Sequence, residues 1–471
     1  MSKRRKPHAD DGQTASKSVV QKGVVNVDET EHVLDKCDRE YDRNPSRITH
    51  DLDNAPMNET LGDTDKQSIP SSKKNIGSKS FDTPENHRLA VAKKRDGVTR
   101  HDGHQQRSDS SKTKQRCQKE RRRSPPLNKL KPVYAAIDLG TNNCRLLIAS
   151  PQGRSHRVID AFSRIVRLGE GLGVHGVLSD AAMNRTIEAL KICSQKMSRR
   201  RVNRHRFVAT QACRSASNCD DFLARVESET GLCFDVISPQ EEARLAVKGC
   251  ADLLDHNSRS AIIFDIGGGS TEVSLVNLDR TTAGNKRRHK IQSWFSLPVG
   301  VVSLSERWGG DDLNQDLYEG IVTDVRRMIA ELDLPKDFEK EFRNGEGHFV
   351  GTSGTVTSIA GVFLNLDRYR REAVDGIWLT SDDVREVSER LRVMSMEERS
   401  RQACIGSERA DLVVCGCAIL EAIMRSWPSE RIRVADRGLR EGLLTSMIEE
   451  DRKRKNKRRR QTSGSMAKKK S

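Results

Sequence analysis

No stretch of this chain reaches the roughly 18–20 consecutive apolar residues that a membrane-spanning helix requires. Its first residues, MSKRRKPHADDGQTAS, hold a basic cluster without the apolar segment of a secretory signal. The eleven cysteines are odd in number, and no two pairs stand at zinc-binding spacing. Cys415-Gly416-Cys417 falls inside a helical pattern and reads as core. Neither a disulfide framework nor a structural zinc is expected, and the compartment expected is the reducing cytoplasm. Apolar periodicity is missing from residues 1 to about 130, which are rich in Ser, Asp, Asn, Lys and Arg. Such a segment cannot bury enough apolar surface to offset its ordering entropy, so residues 1–131 read as a long disordered tail.

Charge divides along the same lines. The chain carries +16 overall; residues 1–132 supply +9 and residues 451–471 supply +10, which leaves the middle at −3. The last stretch, DRKRKNKRRRQTSGSMAKKKS, reads as a basic, disordered tail over 451–471. Basic tails attract polyanions such as RNA without sequence preference.

Between the tails, strand and helix patterns alternate. VYAAIDLGTNNCRLLIAS (133–150) reads as strand, glycine turn, strand, and a third strand follows over His156–Leu168. A helix capped by Ser179, a short strand and further helices lead to Cys250. At Ala261 the order begins again with AIIFDIGGGSTEVSLVNL. Asp138-Leu139-Gly140 and Asp265-Ile266-Gly267 therefore occupy matching places in two units, 127 residues apart. Such a duplication predicts two similar α/β domains, over 132–257 and 258–450, with a ligand cleft between them.

The turns carry the chemistry. Gly267, Gly268 and Gly269 let a backbone approach a ligand, their N–H groups can form a nest for an anion, and Ser270 and Thr271 add hydroxyls. DLGTNN offers the same surface through Gly140, Thr141 and Asn142, and Arg145 adds a cationic fork. GTSGTVTS, with Gly354 and Thr355, places a third such turn at a strand-to-helix junction. The three together point to a ligand bearing phosphates. No Lys follows the glycines, which excludes a Walker A loop, and a strand after GGGS excludes a dinucleotide fingerprint. Asp265 and Glu272 are hard oxygen ligands suited to Mg2+, with a turn-capping Asp and an exposed strand Glu as the plain alternatives. Glu242 opens a helix, where a carboxylate often serves only the dipole. Arg214, at a strand-to-helix turn, reads equally as a surface residue.

Taken in order, IDLGTNNCRLLIA, VRLGEGLGVHGVLSDAA, ATQACRSASN, ISPQEEARLA, FDIGGGSTEVSLV, LPVGVVSLSERW, VGTSGTVTSIAG and RVADRGLREGLL resemble the exopolyphosphatase / guanosine pentaphosphate phosphohydrolase family. The resemblance spans about Val133 to Glu450. It implies two RNase H-like domains of the actin/Hsp70/sugar kinase superfamily around a central cleft. It also implies Mg2+-dependent hydrolysis of a terminal phosphoanhydride, with Mn2+ as the alternative ion, in polyphosphate or at the 5′ end of pppGpp. By motif, Glu242 would activate water, and Asp265 and Glu272 would hold the metal. Asp138, Gly140, Thr141, Asn142, Arg145, Arg214 and Gly267 to Thr271 would grip phosphates. Asn143 and Cys144 depart from the family's usual turn. The helical domains of longer members have no counterpart after RVADRGLREGLL, so the chain resembles the short, two-domain form. A homodimer is a further expectation. Two other readings stay open: a kinase of the same superfamily, and a non-catalytic binder of polyphosphate or the alarmone.

Overall fold

The computed structural model describes residues 21–23, 131–153, 155–279, 288–310 and 313–468. Among the described residues, twelve strands form two sheets. The first holds β2 (Tyr134–Leu139), β3 (Asn143–Gln152), β4 (Ser155–Ile165), β5 (Arg204–Ala209) and β6 (Asp235–Val236), in the order β4-β3-β2-β5-β6. The second holds β1 (Gln21–Gly23), β7 (Ser260–Ile266), β8 (Thr271–Asp279), β9 (Arg288–Leu297), β10 (Gly347–Thr352), β11 (Trp378–Thr380) and β12 (Arg431–Ala435), in the order β1-β9-β8-β7-β10-β12-β11. Five neighbours repeat between the sheets: an antiparallel meander of three strands, then parallel partners.

The duplication extends to single residues. Asp138 lies opposite Arg145 and Asp265 opposite Glu272 in equivalent registers. The N–H of Gly140 donates to the Asn143 carbonyl and that of Gly267 to the Ser270 carbonyl, both at 2.9 Å. Even the bulge recurs: β4 carries an extra residue, Ile159, opposite Ile148 and Ala149 of β3, and β9 carries one, Gln292, opposite Leu275 and Val276 of β8, again 127 residues on in the middle strand. A bulge increases local twist, so its repetition gives both sheets the same curl.

Each central strand is buried on both faces, hence its continuous apolar run. Ala135, Ile137 and Leu139 of β2 enter one core, and Tyr134 and Ala136 the other. Ile262, Phe264 and Ile266 of β7 face one core, and Ala261 and Ile263 its opposite. Two helices tie the halves together. In the Pro239–Cys250 helix, Leu245 packs with the first sheet, whereas Ala243, Val247 and Cys250 pack with the second. The Leu439–Lys468 helix returns to the first sheet through Leu443, Leu444 and Met447. The two helices touch backbone to backbone: a Cβ on Gly249 would lie 1.9 Å from the Gly438 carbonyl oxygen, and one on Gly442 2.1 Å from that of Leu245.

Three observations bear on the expected boundaries. The sequential boundary at residues 257/258 is crossed by this helix exchange, because the C-terminal helix buries its apolar face on the first sheet. The tail expected from residue 451 is helical through Lys468. Lys and Arg are good helix formers, no Pro intervenes, and a packed first half supplies the costly nucleus. Within the expected N-terminal tail, Gln21–Gly23 pair antiparallel with β9; apart from Lys131, the rest of that tail lies outside the described residues. Eight described cysteines are free and buried, Cys415 and Cys417 among them. Among the described residues no helix is long and apolar enough to cross a membrane.

Candidate active site

The two glycine turns face each other, and this contact explains the run of three glycines. A Cβ on Gly268 would lie 2.9 Å from the Thr141 Cβ and 3.1 Å from the Asn142 nitrogen. One on Gly269 would lie 3.0 Å from the Thr141 hydroxyl. Side chains are missing because the turn of one half presses against the turn of the other. The carbonyls of Gly267 and Gly268 accept from Val301 and Val302 at 3.0 and 2.8 Å, anchoring the helix that follows β9. The N–H groups of Gly268 and Gly269 donate to no described residue and remain available to an anion.

Four carboxylates converge here, two from each half. Glu242 sits in the first turn of its helix, where Ser238 caps the end and Pro239 fixes the entry. Its side chain is 12% exposed and accepts from Arg214 Nη1 at 2.7 Å. Burial, then the charges of Glu272 and Asp138, push its carboxyl well above the usual range, against the pull of Arg214. Its neighbour Glu241 goes the other way. Burial opposes its charge, but Arg244 at 2.6 Å and Arg206 at 3.4 Å hold it below the ordinary value. Asp265 is pushed up to about 7 by burial and by Glu272. Glu272 is 3% exposed and accepts from the Ser270 hydroxyl at 2.7 Å and the Ser296 hydroxyl at 3.0 Å. Burial raises its carboxyl too, as it does that of Asp138, which Arg145 partly restrains.

Opposite this acidic group stand two cations. Arg145 and Arg409 line one cavity with Asn142, Gly268 and Gly354. Neither guanidinium has a hydrogen bond or ion pair to a described residue. Burial, with repulsion from Arg145 adding to it, lowers the Arg409 pKa. Asn142 is 6% exposed, and its side-chain oxygen has no partner among the described residues. The Gly354 turn lies under Arg409, whose Nη1 would be 3.8 Å from a Cβ there. Ser353 beside it adopts φ 78°, a left-handed conformation unusual for a residue with a side chain.

Asp138, Gly140, Asn142, Arg145, Glu242, Asp265, Glu272, Gly267 to Gly269 and Gly354 are thus gathered at the cleft. Several expected grips have other duties. The Thr271 hydroxyl donates to the Val299 carbonyl at 2.7 Å, and that of Ser270 serves Glu272. Thr355 packs against Gly416, and Thr141 against the opposing glycines. Arg214 is engaged by Glu242, by the Ile237 carbonyl and by Gln211, at 2.7–2.9 Å. Arg409 escaped the sequence reading. It lies in SERADL, without a turn signal, and only the fold aims it at the first half.

A family model for the Ppx/GppA phosphatase family matches residues 147–451, well over half of the chain. The chain belongs to the Ppx/GppA phosphatase family. Exopolyphosphatase 2 of Mycobacterium tuberculosis is 28% identical over 333 residues, covering 66% of this chain and 98% of the relative. The crystal structure of the Aquifex aeolicus Ppx/GppA family member superposes with a TM-score of 0.55 at 28% identity, over 68% of this chain and 98% of that one. An exopolyphosphatase from Cytophaga hutchinsonii shares the fold, with a TM-score of 0.58 at 23% identity over 67% and 98% of the chains. The two-domain actin/Hsp70-like architecture is therefore that of Ppx/GppA proteins.

As a Ppx/GppA site, the cleft can be tested for a divalent ion. Asp265 and Glu272 are cross-strand neighbours with no described cation paired to either. Burial raises both carboxyls, and the charge of Glu272 adds to the rise at Asp265. Among the described residues no three His, Cys, Asp or Glu side chains could hold a metal by themselves. Mg2+ suits such a place, since it takes one or two carboxylates and completes its shell with water and phosphate oxygens.

Proposed function

We propose that this protein hydrolyses the terminal phosphoanhydride bond of inorganic polyphosphate, with water as the acceptor. The observation that carries the reading is the meeting, across one cleft, of four carboxylates with two unpaired guanidiniums. Phosphoryl transfer needs positioning and charge neutralisation more than covalent chemistry. Arg145, Arg409 and the free N–H groups of Gly268 and Gly269 would hold the terminal phosphate. Glu242 would take the proton of the attacking water: its raised proton affinity suits a base near neutral pH, and Arg214 keeps its carboxylate oriented. Asp265 and Glu272 would hold Mg2+, which when bound adds positive charge against the phosphate oxygens. The exopolyphosphatases among the relatives support polyphosphate as the substrate class. The 5′ end of pppGpp presents the same terminal group and belongs in the same assay. A kinase would leave a phosphorylated acceptor rather than free phosphate.

The test is phosphate release with Mg2+ from polyphosphate and pppGpp in parallel, by wild type and Glu242→Gln. Release that collapses in the variant supports both the hydrolysis and the base. Absence of release from either substrate, with both still bound, would replace the enzyme by a binding protein.

A further inference from the structure

One cation at the rim of the cleft is not among the groups placed around the phosphate. Arg167 lies in the loop after β4, and its N–H donates to the Asn142 carbonyl at 3.0 Å, beside that of Val166 at 2.9 Å. The residue is thereby tied to the first glycine turn. Its φ of 46° is left-handed, a conformation that an arginine holds only where surrounding contacts enforce it. Its side chain then leaves the first half and crosses the cleft. Nη1 pairs with Asp411 Oδ2 at 2.9 Å, and Nη2 donates to Asp411 Oδ1 at 3.1 Å and to the Glu408 carbonyl at 3.3 Å. This is a forked guanidinium–carboxylate pair, the geometry that fixes orientation as well as distance.

Between Glu408 and Asp411 stand only Arg409 and Ala410. The Ala410 carbonyl accepts from Nη1 of the buried Arg399 at 2.9 Å, and the same nitrogen reaches the Gly310 carbonyl at 3.2 Å. The loop is pinned from behind by Arg399 and from across the cleft by Arg167. What the pins leave directed into the cavity is the Arg409 guanidinium. A second bridge runs alongside, from the Gly171 N–H to Glu306 Oε1 at 2.7 Å. Both terminal nitrogens of Arg167 are occupied by the opposite loop, so it is not itself a phosphate ligand.

We propose that Arg167 is a positioning residue: its ion pair with Asp411 closes the rim of the cleft and sets Arg409 against the terminal phosphate of the substrate. The identity of that anion rests on the function proposed above; the coupling of Arg167 to Arg409 does not. A partly exposed ion pair adds little to global stability, so its effect belongs on turnover rather than on melting temperature.

The experiment uses the full chain and compares wild type, Arg167→Gln, Asp411→Asn, Arg409→Gln and the double variant R167Q/R409Q. Phosphate release from polyphosphate, melting temperature and calorimetric binding of inorganic tripolyphosphate are read for each. Loss of Arg409 should cost about 10²-fold in kcat/KM, the scale of one preorganised charge contact. Arg167→Gln and Asp411→Asn should each cost about tenfold through misplacement of Arg409, with the melting temperature unmoved. Added to Arg409→Gln, Arg167→Gln should cost less than about twofold, because coupled residues are not additive. Charge exchange, R167D with D411R, should recover most of the loss. The proposal is overturned if Arg167→Gln loses the same factor with Arg409 already absent, or if Asp411→Asn has no effect. Should wild type release no phosphate, the hydrolase reading fails, and the tripolyphosphate titrations still decide the coupling: an Arg167→Gln weakening that vanishes in the R409Q background supports it, and one that persists refutes it.

Discussion

Glu241 and Glu242 are adjacent in ISPQEEARLA yet titrate in opposite directions, because Arg244 and Arg206 claim the first while acids surround the second. Environments that push neighbouring carboxyls apart divide their tasks. Glu242→Gln should therefore lower phosphate release by about 10²–10⁴-fold, the usual contribution of a general base, while leaving tripolyphosphate binding intact. Glu241→Gln should lower it no more than about tenfold, since that residue holds the helix start rather than a proton; steady-state kinetics of the two variants check the contrast. Asp265 gives a pH test without substrate. Its folded pKa of about 7 lies above that of the unfolded chain, so folding favours its protonated form. That contribution is present below about pH 4, the ordinary carboxyl range, and is lost as pH rises through about 7. In metal-free protein at pH 8, Asp265→Asn should raise the melting temperature by about 2–5 °C, the span of one or so kcal/mol in a domain of this size. Calorimetry between pH 5 and 8 would show the difference closing toward the acid end.

The helices that exchange between halves depend on two glycines that no turn explains. Gly249 and Gly442 are helical, where glycine ordinarily weakens a helix. They stand where the two backbones leave no room for a methyl group. Gly442→Ala should destabilise the fold by about 1–3 kcal/mol, as overpacking does, despite its better helix propensity; denaturant midpoints would show the sign. The hairpins were legible from sequence because a buried strand, a glycine turn and a second buried strand leave two apolar runs around a break. The duplicated register follows from that pattern. The helix exchange was not legible: GLREGLLTSMIEE announces an amphipathic helix, but nothing in it says which sheet receives its apolar face. The end of that helix is hidden from the sequence for a related reason. Its basic run cannot nucleate alone, and the packing that nucleates it is tertiary.

Across the whole molecule, charge is segregated. Lys248, Arg204 and Tyr134 already engage Glu449, Glu450 and Asp451, so the helix beyond them presents excess positive charge. Removing residues 453–471 should weaken binding of long polyphosphate by about tenfold at low salt and less at high salt, since counterion release and screening govern such contacts. The cut must fall after Arg452, because Asp451 holds β2 and β5 and Arg452 bonds the Gly153 carbonyl. Fluorescence anisotropy at two salt concentrations measures it, and equal affinity with and without the segment would count against the arm.

By itself the sequence determined the class of fold, the internal repeat, the three small-residue turns and the carboxylates of the family motifs. Local pattern suffices for these, since apolar period and backbone freedom are properties of neighbouring residues. Only the tertiary structure decided what the glycines accommodate, which hydroxyls are already bonded, which of two adjacent glutamates is proton-hungry, and that Arg409 and Arg167 belong to one cleft. Those outcomes depend on distances between segments far apart in the chain, 244 residues for Arg167 and Asp411, and on the low dielectric that their meeting creates.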